Sequence, residues 1–175
     1  MFEFDNYTID SIHNTDALSL SELMVSNANR FQRYFPGTLA QNLTVETSTA
    51  FIAKKIIEFD SKKEFLFTIK VAIKVVGLVY IKELDWDKKQ GELAYCIGED
   101  HGGKGLITKA VKYLSQYAFN SLGLEILQII VHQENLPSVN IAKNGDFTWQ
   151  RTLLNEYTPP NEGPLDMELY ELYKN

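Results

Sequence analysis

A run of β-branched and aromatic residues gives way to Gly98, Gly102, Gly103 and Gly105, and then at once to an amphipathic helical pattern. That order of residue types suits anion binding. Glycine lets the backbone turn sharply and approach a ligand closely, while the first N–H groups of a helix and its positive dipole end favour phosphate. The run is not a P-loop, because no Gly-Lys-Ser/Thr closes it, and Gly103-Lys-Gly-Leu-Ile-Thr108 does not complete the dinucleotide-binding glycine pattern. Taken alone, such a cluster is equally an ordinary strand-to-helix turn.

Other reactive residue types are sparse. Cys96 is the only cysteine, which excludes an internal disulfide framework and a multi-thiolate zinc site and fits a reducing cytoplasm. It reads as a small buried strand residue. His13, His101 and His132 stand apart from any carboxylate or thiol at ligand spacing, so no metal is expected. With 17 Lys plus Arg against 23 Asp plus Glu, the net charge of −6 gives no broad footprint for nucleic acid or an anionic membrane. The first ten residues lack a basic start and an apolar run, and no greasy stretch approaches the roughly 20 residues that span a bilayer, so a soluble protein is expected.

The elements that must position the glycine run can be read from periodicity. At 175 residues the chain is long enough for one sizeable core, and without repeats or linkers a single domain over 1–175 is expected. Thr15 can cap a helix carrying Leu18, Leu20, Leu23 and Met24, and a second helix is expected over 44–59, with Phe51, Ile52, Ile56 and Phe59 on one face and Glu46, Lys54, Lys55 and Glu58 in solvent. An aromatic loop, 31–37, lies between. Strands are expected over 65–73, 75–82 and 92–97 as an antiparallel meander. Ile107, Ala110, Val111, Leu114, Tyr117 and Ala118 follow helical spacing, with Gly123 as the stop. A strand over 125–131, a short helix over 138–144 and strands over 147–154 and 166–172 complete an α+β order with a mostly antiparallel sheet.

In this context the glycine segment resembles the acetyl-CoA loop of the GNAT superfamily of N-acetyltransferases, whose Gln/Arg-x-x-Gly-x-Gly/Ala motif begins the central helix. Gly103 and Gly105 match its glycines. The likeness continues through Leu106-Ile-Thr-Lys-Ala110, the strand 126–131, Asn135-Leu-Pro-Ser138, Ala142-Lys-Asn-Gly145 and Phe147. The amino-terminal helix pair and Leu165-Asp-Met-Glu-Leu-Tyr170 are similar to the ribosomal-protein alanine/serine N-acetyltransferases of Rim type (RimJ/RimL), so the resemblance covers almost the whole chain. There are two departures: Asp100 holds the Gln/Arg position, where its charge disfavours a diphosphate unless His101 and Lys104 compensate, and Asp146 is inserted between Gly145 and Phe147.

The resemblance implies a GNAT-like central sheet with helices on both faces, acetyl-CoA as cosubstrate, no metal, and direct attack by a primary amine in a ternary complex. It implies that His101, Gly102, Gly103, Lys104, Gly105, Leu106 and Thr108 hold the diphosphate, and that a backbone N–H on the strand with Ala94, Tyr95, Cys96 and Ile97 meets the thioester carbonyl. Asn135 would reach the pantetheine arm and Ser138 the sulfur; as alternatives, Asn135 forms or caps a turn and Ser138 caps the short helix. Glu92 and Glu156 are the candidate bases, each needing partial burial to raise its pKa toward the working pH; otherwise Glu92 is an exposed strand carboxylate and Glu156 a solvated loop charge. The acceptor is then a ribosomal-protein or other protein amino terminus or a small amine, with a homodimer admitted as the assembly. A noncatalytic acyl-CoA-binding domain is the competing class.

Overall fold

The computed structural model describes residues 1–174. In chain order, β1 (Phe2–Phe4) and β2 (Tyr7–Ser11) form a hairpin, and a 3-10 turn, Asn14–Asp16, leads into α1 (Ala17–Ser26). Then come α2 (Ala28–Phe31), α3 (Pro36–Ala40), α4 (Val45–Asp60), β3 (Phe65–Val71), β4 (Lys74–Asp85) and β5 (Gln90–Ile97). A second 3-10 turn, Glu99–His101, precedes α5 (Leu106–Tyr117), which ends in a π turn, Ala118–Leu122. β6 (Ile126–Val131), α6 (Leu136–Asn144), β7 (Thr148–Tyr157) and β8 (Leu165–Tyr173) finish the described chain. The eight strands form one sheet ordered β1-β2-β3-β4-β5-β6-β8-β7. Pairing is antiparallel for β1 with β2, β2 with β3, β6 with β8 and β7 with β8, and parallel for β5 with β6.

The chain falls into two compact units, Met1–Tyr80 with Tyr95–Lys104, and Ile81–Ala94 with Gly105–Asn175. In the first, Leu20 and Met24 of α1, Ile52 of α4, and Leu66, Ile69 and Leu78 of the strands are wholly buried. Each such side chain contributes roughly 1.5–3 kcal/mol by leaving water. Buried Asp16 is held by Lys70 Nζ at 2.7 Å and accepts from the His13 N–H at 2.9 Å. In the second unit, α5 buries Leu106, Ile107, Ala110, Val111 and Leu114, a stripe at helical spacing that explains why this helix forms.

Several expectations are met closely. The helix expected over 44–59 is α4, whose N-cap Thr44 accepts from the Thr47 N–H at 3.3 Å, and Gly123 stops the later helical run in the left-handed region at φ 76°. Others need correction. Thr15 lies inside the 3-10 turn and caps nothing; the carboxylate that closes this start is Asp16. The stretch 31–37 is not simply a loop, since its ends belong to α2 and α3, the latter opened by Pro36 at a position where a missing N–H costs nothing. Lys55 is not in solvent: its side chain is 12% exposed, and its ammonium donates to Glu58 at 2.8 Å and Glu64 at 2.5 Å. Burial lowers and the two carboxylates raise the Lys55 pKa, with the carboxylates prevailing. α6 starts two residues earlier than its periodicity indicates.

Candidate functional site

The strand-to-helix turn after β5 is built from hydrogen bonds to the backbone. The Gly98 N–H donates to Val76 O at 2.8 Å, and the Glu99 N–H to Asn27 Oδ1 at 2.9 Å. Arg30 Nε donates to Ile97 O at 3.2 Å. The His101 ring meets Tyr7 edge-on, with Nδ1 3.2 Å from the phenol oxygen. Lys104 Nζ donates to Asp100 O at 2.7 Å, folding the side chain back over its own turn. Gly103 and Gly105 stand at φ +72° and +71°, and a Cβ built on either meets no atom within 4 Å. Their requirement is conformational, because a side chain in the left-handed region costs on the order of 1 kcal/mol. Gly105 begins α5, and no side chain caps that start. Leu106 is buried, while Thr108 is half-buried in the first turn.

Along β5, hydrogen-bonded register with β6 is confined to Gln90↔Ile126, Gly91↔Leu127 and Glu92↔Gln128. Ala94, Tyr95, Cys96 and Ile97 lie beyond the last of these pairs. Cys96 is buried, and burial pushes its thiol up to about 12. Glu92 is not an exposed carboxylate: its side chain is 14% exposed and its Oε1 lies 3.0 Å from Lys82 Nζ. Burial holds the Glu92 pKa above the ordinary carboxylate value; Lys82 works against that rise, and the charges of Glu83 and Glu156 add to it. Glu156 is exposed and sits within β7, not in the connection after it, beside Asn155 at φ 52° in a stretch where the β7–β8 register shifts.

The turn from β6 to α6 works through side chains. Asn135 is the N-cap of α6, its Oδ1 accepting from the Ser138 N–H at 3.4 Å, and Pro137 occupies the first turn. Ser138 is therefore inside the first turn and is not the cap. At the other end the Asp146 N–H donates to Lys143 O at 3.1 Å and the Phe147 N–H to Ala142 O at 3.0 Å, the paired bonds of a left-handed helix stop. The left-handed residue is Asp146 at φ 69°, with its carboxylate 3.4 Å from Lys112 Nζ.

Of the candidate residues, Tyr95, Cys96, Ile97 and His101 to Lys104 belong to the first unit, and Glu92, Ala94, Gly105, Leu106, Thr108, Asn135, Ser138 and Glu156 to the second. Within the second, Glu92 and Glu156 feel each other's charge. Among the described residues no group of three His, Cys, Asp or Glu side chains could hold a metal, and no helix is long and apolar enough to cross a membrane.

Residues 7–148 match the family model of the acetyltransferase (GNAT) domain. The chain belongs to the GNAT acetyltransferase family. It is 25% identical over 170 residues to an uncharacterized N-acetyltransferase, p20, of Bacillus licheniformis, covering 91% of this chain and 94% of that one. Among solved GNAT folds it is similar to the ribosomal-protein-S5-alanine acetyltransferase of Vibrio fischeri, with a TM-score of 0.92 at 18% identity over 99% of this chain and 96% of that one. It is also similar to the microcin C7 self-immunity acetyltransferase MccE, solved in complex with acetyl-CoA and AMP, with a TM-score of 0.87 at 23% identity over 98% and 94%. As a GNAT acetyltransferase the chain carries features that its sequence did not disclose. Tyr7, Asn27 and Arg30 gather around the glycine turn from 67 to 94 positions away, and Lys82 faces Glu92. Only the pairing of Lys82 with Glu92 had a precursor signal, in two strands expected to be neighbours.

Proposed function

We propose that the chain, as one acetyltransferase domain over 1–175, transfers an acetyl group from acetyl-CoA to a primary amine, with a protein amino terminus as acceptor. The observation that carries this reading is the β5–α5 turn, where two left-handed glycines with open space above them lead into a helix that no side chain caps. Such a turn offers backbone N–H groups and a positive dipole end to a diphosphate, and it leaves room that a Cβ would fill. The likeness to MccE, solved with acetyl-CoA, supports the cosubstrate, and the likeness to the S5-alanine acetyltransferase supports the acceptor class.

When bound, acetyl-CoA supplies an activated thioester. In this reading the amides from Gly103 to Leu106 and the Thr108 hydroxyl hold the diphosphate, while the Gly102 N–H is committed to Glu99 O at 3.0 Å and His101 and Lys104 fix the turn through Tyr7 and Asp100. A backbone N–H among Ala94 to Ile97 orients the thioester carbonyl, Asn135 the pantetheine arm, and the Ser138 hydroxyl delivers a proton to the departing sulfur. Glu92 takes the proton from the acceptor amine. Its burial suits that role, because a carboxylate raised toward the working pH is a better base than a solvated one. Exposed Glu156 is the second candidate.

The test is release of free thiol from acetyl-CoA by wild type and Glu92→Gln, with amino-terminal peptides and with small amines, across pH. Glu92 acts only when ionised, so its contribution fails as pH falls through its raised pKa and matters most between that value and the pKa of the amine. Glu92→Gln is expected to lower kcat/KM roughly 100-fold to 10,000-fold in this window, with partial rescue as pH rises. A loss under about threefold would remove Glu92 and pass the role to Glu156, checked by Glu156→Gln. Binding of acetyl-CoA without thiol release from any amine would instead make this a noncatalytic acyl-CoA-binding domain.

A further inference from the structure

The turn that begins α5 is poor in usable cationic charge. Asp100 brings a negative charge to it, the Lys104 ammonium is folded back onto Asp100 O, and the His101 ring is engaged by Tyr7. Gly102 has no side chain at all. Over that bare position lies a group from far away in sequence: a Cβ built on Gly102 would stand 3.9 Å from Arg30 Nη2. Arg30 lies in the last turn of α2, and its Nε is fixed on Ile97 O, the last carbonyl of β5, at 3.2 Å. Among the described residues no carboxylate forms an ion pair with it.

We propose that Arg30 is a diphosphate-binding residue, supplying from α2 the guanidinium that the glycine turn itself lacks. The inference rests on the reading of the turn as the acetyl-CoA cradle. Three features converge on it. The Nε anchor restricts the side chain, so less rotamer freedom remains to be lost on binding. The terminal nitrogens carry donors in a rigid fork that matches phosphate oxygens two at a time. And glycine at 102 sets no side chain of its own against Nη2, which a Cβ there would meet at 3.9 Å. A guanidinium without an acidic partner, held beside N–H groups suited to the same anion, complements them and offsets Asp100 electrostatically.

The experiment measures acetyl-CoA binding by calorimetry at several salt concentrations, and turnover of S-acetylpantetheine, which has the same thioester and no diphosphate. Arg30→Met is expected to raise the Kd for acetyl-CoA by about 10-fold to 100-fold, the range for a lost charge-assisted hydrogen bond, and to flatten its salt dependence. KM for S-acetylpantetheine should change by less than about twofold. Arg30→Lys, which keeps the charge without the fork, should fall between wild type and Met, and thermal melts of both variants report whether losing the bond to Ile97 O has disturbed the fold. An unchanged Kd for acetyl-CoA in a folded Arg30→Met protein would overturn the proposal, as would equal losses with both thioesters, which would make Arg30 a support for β5 alone. Failure of the wild type to bind acetyl-CoA would overturn the cradle reading itself, and this proposal with it.

Discussion

Two strand-to-helix turns in this chain solve the same local problem in opposite ways. At β5–α5 the backbone does the turning with left-handed Gly103 and Gly105, and the helix begins without a side-chain cap. At β6–α6 the chain turns through Asn135 and Pro137, and the Asn135 side chain caps the helix it opens. Both satisfy the rule that a helix start needs partners for its first N–H groups. In α6 part of that need is met from within the chain. In α5 it is left to water or to a ligand, which is how one turn becomes a candidate anion cradle while the other chiefly sets the direction of a short helix and places Asn135 and Ser138.

The sharpest way to break this contrast is to put a carboxylate into the first turn. Gly103→Glu or Gly105→Glu should weaken acetyl-CoA binding by roughly 100-fold to 1,000-fold, since two like charges about 4 Å apart at a protein surface repel by on the order of 4 kcal/mol. Gly103→Ala is the control, adding only left-handed strain of about 1 kcal/mol to a position with open space around it. If calorimetry finds wild-type affinity in the folded Glu variants, the α5 start is a structural turn like the other.

A smaller effect is expected at the second turn, and it should divide between two residues. Asn135→Ala removes a cap, for a loss of about 1 kcal/mol of stability, and should also raise the Kd or KM for acetyl-CoA. Ser138→Ala, one turn further in, should lower kcat with little change in acetyl-CoA affinity, because a contact felt chiefly in the transition state appears in turnover. Unchanged steady-state constants for both would leave this turn with its capping role alone. The smallest effect lies at the far end of α6, where Asp146→Gly should relieve left-handed strain. Thermal melts should show a gain of about 0.5–1 kcal/mol, reduced by whatever the exposed contact to Lys112 contributes. A loss of stability would show that the Lys112 contact outweighs the strain.

What could be read in advance follows the range of the interactions. The α5 stripe, the start of α4 and the Gly123 stop are local signals, written within one or two helical turns, and each is found where the pattern placed it. Glycine at 103 and 105 was legible for a related reason, since only glycine adopts that backbone without cost. Asp146 occupies the same kind of conformation, and nothing in an aspartate announces it; the insertion showed only that the turn after the helix would be altered. The short helices α2 and α3 carry too few turns for a period to emerge. Lys55 matched a solvated helix face until Glu64, beyond the end of the helix, drew it inward. For the candidate site, the loop and β5 were legible as a run of residue types, whereas the charge beside Gly102 and the group paired with Glu92 were not, because Arg30 and Lys82 are ordinary surface residue types until the fold assigns them neighbours.

The chain's single thiol also has a practical consequence. Cys96 is buried, and burial pushes its thiol up to about 12, far above working pH, so it stays protonated. Alkylating reagents and peroxides act on the thiolate, so the native protein should behave toward them as if it had no cysteine. A cysteine introduced at exposed Lys104 would then take up a fluorophore or spin label alone, and its signal with and without acetyl-CoA would report on the surroundings of the glycine turn.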